Sequence, residues 1–176
     1  GSASDRRPAL IGHSMGGVLA TLVAERVAIR AVVNVDGNLS RGDCTFSARA
    51  AAFTREDFIA SGFAAIRADT YERGRDNLPL RGYHAATLTA SPAVFHHHAL
   101  QLIELSEPEL LVTRLARLTA PVLFVAGVPD GICERSRALL DQHNVRWIGL
   151  APAGHWVFLD QLEAFASAVA GFLRAP

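Results

Sequence analysis

The chain has 176 residues, enough to bury the core of one domain and short for two independent ones. Half of the residues are apolar and 19% are charged, with Lys plus Arg equal to Asp plus Glu at 17 each. That balance offers no basic surface for nucleic acid or an anionic membrane, and no apolar run approaches the roughly 18 residues that would span a bilayer, so a small or neutral ligand fits best.

In chain order, Pro8 to Gly12 is a short apolar run that reads as a buried strand. Met15 to Ile29 follows, apolar on nearly every face and too long for a strand, and reads as a helix packed on a sheet. Ala31 to Val35 is the second strand, completing a βαβ unit. From about Asn38 to Leu118 the character changes to helices without a convincing strand. Asp57 to Ile66 is one helix; Pro92 to Leu105 is another, with Ser91 as N-cap and Pro92 at the first helical position. Pro108 to Leu118 is a third, where Ser106 and Glu109 have capping-box spacing. Pro121 to Ala126 and Val145 to Leu150 are strands three and four, with Cys133 to His143 as the crossover helix between them. Leu162, Phe165, Ala166, Val169, Phe172 and Leu173 then mark an amphipathic closing helix. The fold class is α/β: residues 1–37 and 119–176 form a core with a short parallel sheet, and 38–118 form a helical insertion. An insertion between two strands of a parallel sheet reads as a cap or lid over the strands' C-terminal ends, the edge where ligands bind in such sheets.

The chemistry concentrates in Gly12-His13-Ser14-Met15-Gly16, between the first strand and the first helix. It fits the nucleophile elbow G-x-S-x-G, whose glycines relieve the sharp turn that exposes the serine hydroxyl. Ser14 sits at a helix N-terminus, where free N–H groups favour developing negative charge, and the Met15 N–H is the natural oxyanion donor. The plainer alternative is an ordinary serine in a Gly-rich turn. Context weighs against it, because an acid and a histidine follow in the order the elbow demands. Asp130 ends Gly127-Val128-Pro129-Asp130 after the third strand, and His155 follows the fourth.

These features resemble the α/β-hydrolase superfamily, specifically its lipase, esterase and haloperoxidase-like branch with a helical cap. The resemblance spans the whole chain but only the second half of the family's fold, its strands looking like the fifth to eighth. It implies Ser14 as nucleophile, His155 as general base and Asp130 as the acid that orients the imidazole. Asp36, in Val35-Asp36-Gly37 after the second strand, is the alternative acid, since some branches draw theirs from that position. Asp130 is preferred for the Gly-x-x-Asp match. Both aspartates also precede a glycine, as turn aspartates do. The family's loop after its third strand, which normally gives the second oxyanion donor, has no counterpart here. The expected reaction is hydrolysis of a carboxylic ester on a small acyl substrate, without metal or organic cofactor. The rivals are a non-catalytic half-domain and a thioesterase, acyltransferase or cofactor-free haloperoxidase.

Other features read more plainly. Cys44 and Cys133 match no metal-ligand spacing and suit free thiols in a reducing cytoplasm, and no export segment opens the chain, so the expected location is cytoplasmic. Consecutive His96, His97 and His98 point in different directions on a helix and read as a polar patch. His13 reads as a pocket-lining or packing residue. Trp156 and Phe53, Phe58, Phe63 and Phe95 read as core, with some available to an acyl pocket. Pro8 to Gly12, as an exposed apolar edge strand, predicts a homodimer through that edge.

Overall fold

The structure is a computed structural model that describes residues 7–174. The chain divides into two compact units: one holds the segments up to Asp43 and from Ser106 onward, the other Cys44–Leu105. In chain order, β1 (Ala9–His13) leads through Ser14 into α1 (Met15–Ala24) and on to β2 (Ala31–Val35). There follow α2 (Thr45–Ala51), α3 (Arg55–Asp57), a π turn over Phe58–Gly62, α4 (Phe63–Arg73), α5 (Leu78–Thr87) and α6 (Pro92–Ser106). The chain then runs through α7 (Leu110–Ala116), β3 (Val122–Asp130), α8 (Glu134–Gln142), β4 (Trp147–Gly154), α9 (Val157–Asp160) and α10 (Leu162–Arg174).

In the first unit the four strands lie in the order β1-β2-β3-β4, all parallel. A parallel sheet needs crossovers that cover its faces, which is why β2, Ala-Val-Val-Asn-Val, is buried at every position. Ala31, Val33 and Val35 join Leu123, Val125 and Ala153 on one face, and α10 lays Val169 and Phe172 onto them. Each of the valine, leucine and phenylalanine side chains among them stabilises the fold by about 1.5–3 kcal/mol. On β1 and β2 packs α1. That helix is shorter than Met15 to Ile29: its last turn tightens through Arg26 N–H to Val23 O, and the chain turns back so that Ile29 is buried and Arg30 N–H reaches Pro8 O. Conversely β3 is longer than Pro121 to Ala126. A register shift between Gly127 and Pro129 lets β4 accompany it as far as Asp130. The capping box expected at Ser106 and Glu109 does not form. Glu109 adopts φ 56° with no side-chain cap, and its carboxylate accepts from Arg135 Nε at 2.9 Å, an ion pair that outcompetes reach-back to the backbone.

The second unit, 44–105, is narrower than the 38–118 read from the sequence, because α7 belongs to the first unit. Its core is Ala50, Phe58, Phe63, Ile66 and Ala99, with Phe46, Phe53 and Phe95 packed against it. The sequence reading omitted α2 and α5. The start of α5 was legible in part, since Asn77 is an N-cap whose Oδ1 accepts Leu80 N–H and Pro79 stands in the first turn, whereas α2 begins after Cys44 with no side-chain cap. On α6, His96 turns inward, its Nε2 bonded to Phe53 O at 3.1 Å, while His97 and His98 are exposed. Among the described residues no helix is long and apolar enough to cross a membrane.

Candidate active site

At the junction of β1 and α1, Ser14 has φ 55° and ψ −126°, a strained conformation for a residue with a side chain. The sheet holds it there: Ser14 N–H donates to Val35 O at 2.9 Å, and Gly17 N–H donates back to Ser14 O. A Cβ on Gly12 would stand 2.1 Å from Gly16 O, and one on Gly17 would stand 2.4 Å from Asn34 Oδ1, whereas one on Gly16 would meet nothing within 4 Å. Close approach therefore demands glycine at 12 and 17, not at the motif's second glycine. Asn34, buried mid-strand, also accepts Gly37 N–H at 2.9 Å, so one amide side chain packs under the elbow and braces the turn after β2. The Met15 N–H opens α1 and donates to no group among the described residues.

That turn carries Asp36, at φ 45° and fully buried. Its N–H donates to Val125 O, its Oδ1 accepts Gly127 N–H at 3.1 Å, and its Oδ2 has no hydrogen bond of its own. Oδ2 instead lies 3.8 Å from His155 Nδ1. Burial pushes the Asp36 carboxyl up to about 8, against the opposing pull of the Gly127 and Ile132 amides. Burial likewise pushes the His155 imidazole down to about 4, helped by His13 and opposed by Asp43. Across neutral pH the carboxyl therefore keeps its proton and the imidazole stays neutral; once Asp36 ionises it can accept the Nδ1–H of His155, which leaves Nε2 bare to take a proton.

The geometry separates the two candidate acids. Asp130 ends β3 with an exposed side chain, paired through its backbone with Gly154, while the carboxylate beside His155 is that of Asp36. Both aspartates stand at the C-terminal end of a parallel strand. Which one meets the histidine depends on where the loop after β4 passes, and nothing local in the sequence states that.

Two further residues escaped the sequence reading in their roles. Asp43 Oδ2 accepts from Leu39 N–H, Ser40 N–H and the Ser136 hydroxyl, and its Oδ1 accepts Cys133 N–H at 2.8 Å. It clamps the segment after β2 to the start of α8, beside the turn that walls Asp36. The signal was an Asp within reach of Ser and Cys at a helix start, legible only once the two loops meet. His13, read as packing, bonds through Nε2 to His155 O at 2.8 Å.

A strand, a strained serine turn and a helix, followed by a buried carboxylate after β2 and an imidazole after β4, are the parts of an α/β hydrolase. The chain belongs to the alpha/beta hydrolase family, whose family model matches residues 2–168. Comparison with curated protein sequences finds no significant match. Among solved structures it is similar to an esterase from Exiguobacterium antarcticum, with 18% identity and TM-score 0.68 over 94% of this chain and 66% of that one. It is also similar to an enol-lactonase from Burkholderia xenovorans LB400, with 20% identity and TM-score 0.70 over 94% of this chain and 65% of that one. A thermophilic esterase from Thermogutta terrifontis matches with 21% identity and TM-score 0.71 over 94% and 64% respectively. The chain spans about two thirds of the length of these structures.

Proposed function

We propose that the chain is the catalytic part of a serine hydrolase that cleaves a carboxylic ester, with Ser14 as nucleophile, His155 as general base and Asp36 as the acid. The observation that carries this reading is the His155 Nδ1 to Asp36 Oδ2 approach of 3.8 Å beside the strained Ser14 turn. Ser14 Oγ attacks the ester carbonyl carbon while His155 Nε2 takes its proton. The Met15 N–H, at the positive end of α1, donates to the oxyanion. The C–O bond to the leaving alcohol then breaks as His155 returns the proton to it. Water, deprotonated by the same nitrogen, then attacks the acyl carbon; the bond to Ser14 Oγ breaks, His155 returns the proton to Oγ and the carboxylic acid leaves. Named esterases and an enol-lactonase among the similar structures support an ester-like bond.

The test is labelling by a fluorophosphonate probe together with hydrolysis of short acyl esters and thioesters. Labelling is expected in the native chain and lost in Ser14→Ala, and Ser14→Ala and His155→Ala should each lower turnover by about 10⁴-fold or more without unfolding the chain. Labelling that persists in Ser14→Ala would sink the assignment. Absence of any labelling would favour a non-catalytic role, and preference for thioesters would move the reading to a thioesterase.

A further inference from the structure

We propose that His13 is a positioning residue for the base, tying the nucleophile's strand to the backbone of His155 as a neutral Nε2–H imidazole. This rests on the Ser14 and His155 reading above.

The partner of His13 Nε2 is a backbone carbonyl, His155 O at 2.8 Å, and a carbonyl only accepts. The proton must therefore sit on Nε2, which leaves Nδ1 bare in the neutral ring. Burial holds the imidazole below its ordinary value and so favours that uncharged form. His13 is the last residue of β1, paired in register with Val35 of β2 and covalently next to Ser14. The His155 backbone consequently has a direct tether to the residue preceding the nucleophile. The sheet fixes one end of that tether, and the bond fixes the other.

Surroundings strengthen the case. The His13 ring lies 4.6 Å from the His155 ring, edge-on to Phe158 at 5.0 Å, and 6.4 Å from Trp156. Phe158 and Trp156 bring no charge. The ionisable groups acting on His155 are His13, Asp36 and Asp43. A protonated His13 would oppose the charge His155 must gain when it takes the Ser14 proton. The residue that sets the distance must thus stay neutral to let the base work. A purely packing histidine would carry neither requirement.

The experiment compares the native chain with His13→Phe, which keeps the ring and removes the donor, and His13→Gln, which restores a donor that cannot charge. Imidazole nitrogen NMR of the native chain should show His13 as the Nε2–H tautomer near neutral pH. In His13→Phe, hydrogen exchange at residues 154–157 should quicken and Ser14-dependent acylation should slow about 10- to 100-fold with KM nearly unchanged. His13→Gln should recover most of both. A native His13 carrying its proton on Nδ1, a Phe variant with native exchange and rate, or a Gln variant no better than Phe would each overturn the proposal. If the native chain shows no Ser14-dependent acylation, the hydrolase reading falls, while the tautomer and exchange measurements still decide the tether.

Discussion

Asp36 bears the largest electrostatic cost in the site, because a carboxylate with no solvent exposure has exchanged water for the amides of Gly127 and Ile132 and a nearby imidazole. Its carboxyl titrates at about 8 in the fold and near 4 in the unfolded chain, so the folded state holds the proton more tightly. The stability this contributes is full below about 4 and is lost as pH rises through about 8. His155 runs the other way. Titrating at about 4, it contributes stability above its ordinary value of 6.5 that is lost as pH falls through 4. Between about 4 and 6.5 the two slopes cancel, and a net decline of up to about 1.4 kcal/mol per pH unit shows between about 6.5 and 8. Asp36→Asn mimics the protonated carboxyl and should melt higher than the native chain by a margin that widens up to pH 8.

Catalysis should show the opposite preference. An ionised Asp36 is needed to stabilise the imidazolium, so kcat/KM should rise with pH through about 8, with Asp43 and Arg137 as the other charges acting on that carboxyl. Asp36→Asn should lower kcat on the order of 10⁴-fold and flatten that rise. Asp130→Asn, changing an exposed strand end, should stay within a few-fold of native. Rate profiles and melts on the same three proteins check both halves, and a more damaging Asp130→Asn would return the acid to β3.

At the scale of elements, the β1–α1 turn separates two glycines that the motif treats alike. Gly12→Ala would press a methyl against Gly16 O and should cost about 3 kcal/mol along with activity. Gly16→Ala enters open space on a helix and should leave stability unchanged or raise it by up to about 1 kcal/mol. Chemical denaturation of the two variants makes the comparison, and equal destabilisation would contradict the crowding described here. The same contrast shows what sequence can convey. β2 was readable residue for residue from its short valine-rich run, and α10 from its periodicity. The far end of β3 was not, because Gly127 and Pro129 carry turn chemistry that only pairing with β4 overrides. The choice between Asp36 and Asp130 and the tether of His13 depend on contacts between segments more than 90 positions apart. Local patterns hold no information of that range.

For the whole molecule, β1 is one of the two edges of the sheet among the described residues, β4 being the other. Beside the β1 edge Ile11 is 55% exposed, and Leu19 and Val23 on α1 and Val27 beyond it are open as well. Unpaired strand groups flanked by an apolar stripe are a template for association. The expected cover is a second copy of the chain, which makes the interface the same on both partners. Light scattering across a dilution series should show a dimer, and Leu19→Lys with Val23→Lys should shift it to monomer. A native chain that stays monomeric at high concentration would rule this out.

The tether between His13 and His155 joins residues 142 positions apart. During synthesis the strand bearing the nucleophile therefore leaves the ribosome well before the loop bearing the base, and contacts of such separation are slow to form because loop closure precedes their reward. Until β3, β4 and α10 arrive, the apolar face of β2 that they cover stays open, and the chain is most open to aggregation in that interval. Activity recovered on refolding should accordingly lag helix formation, since it reports the closing of this long span.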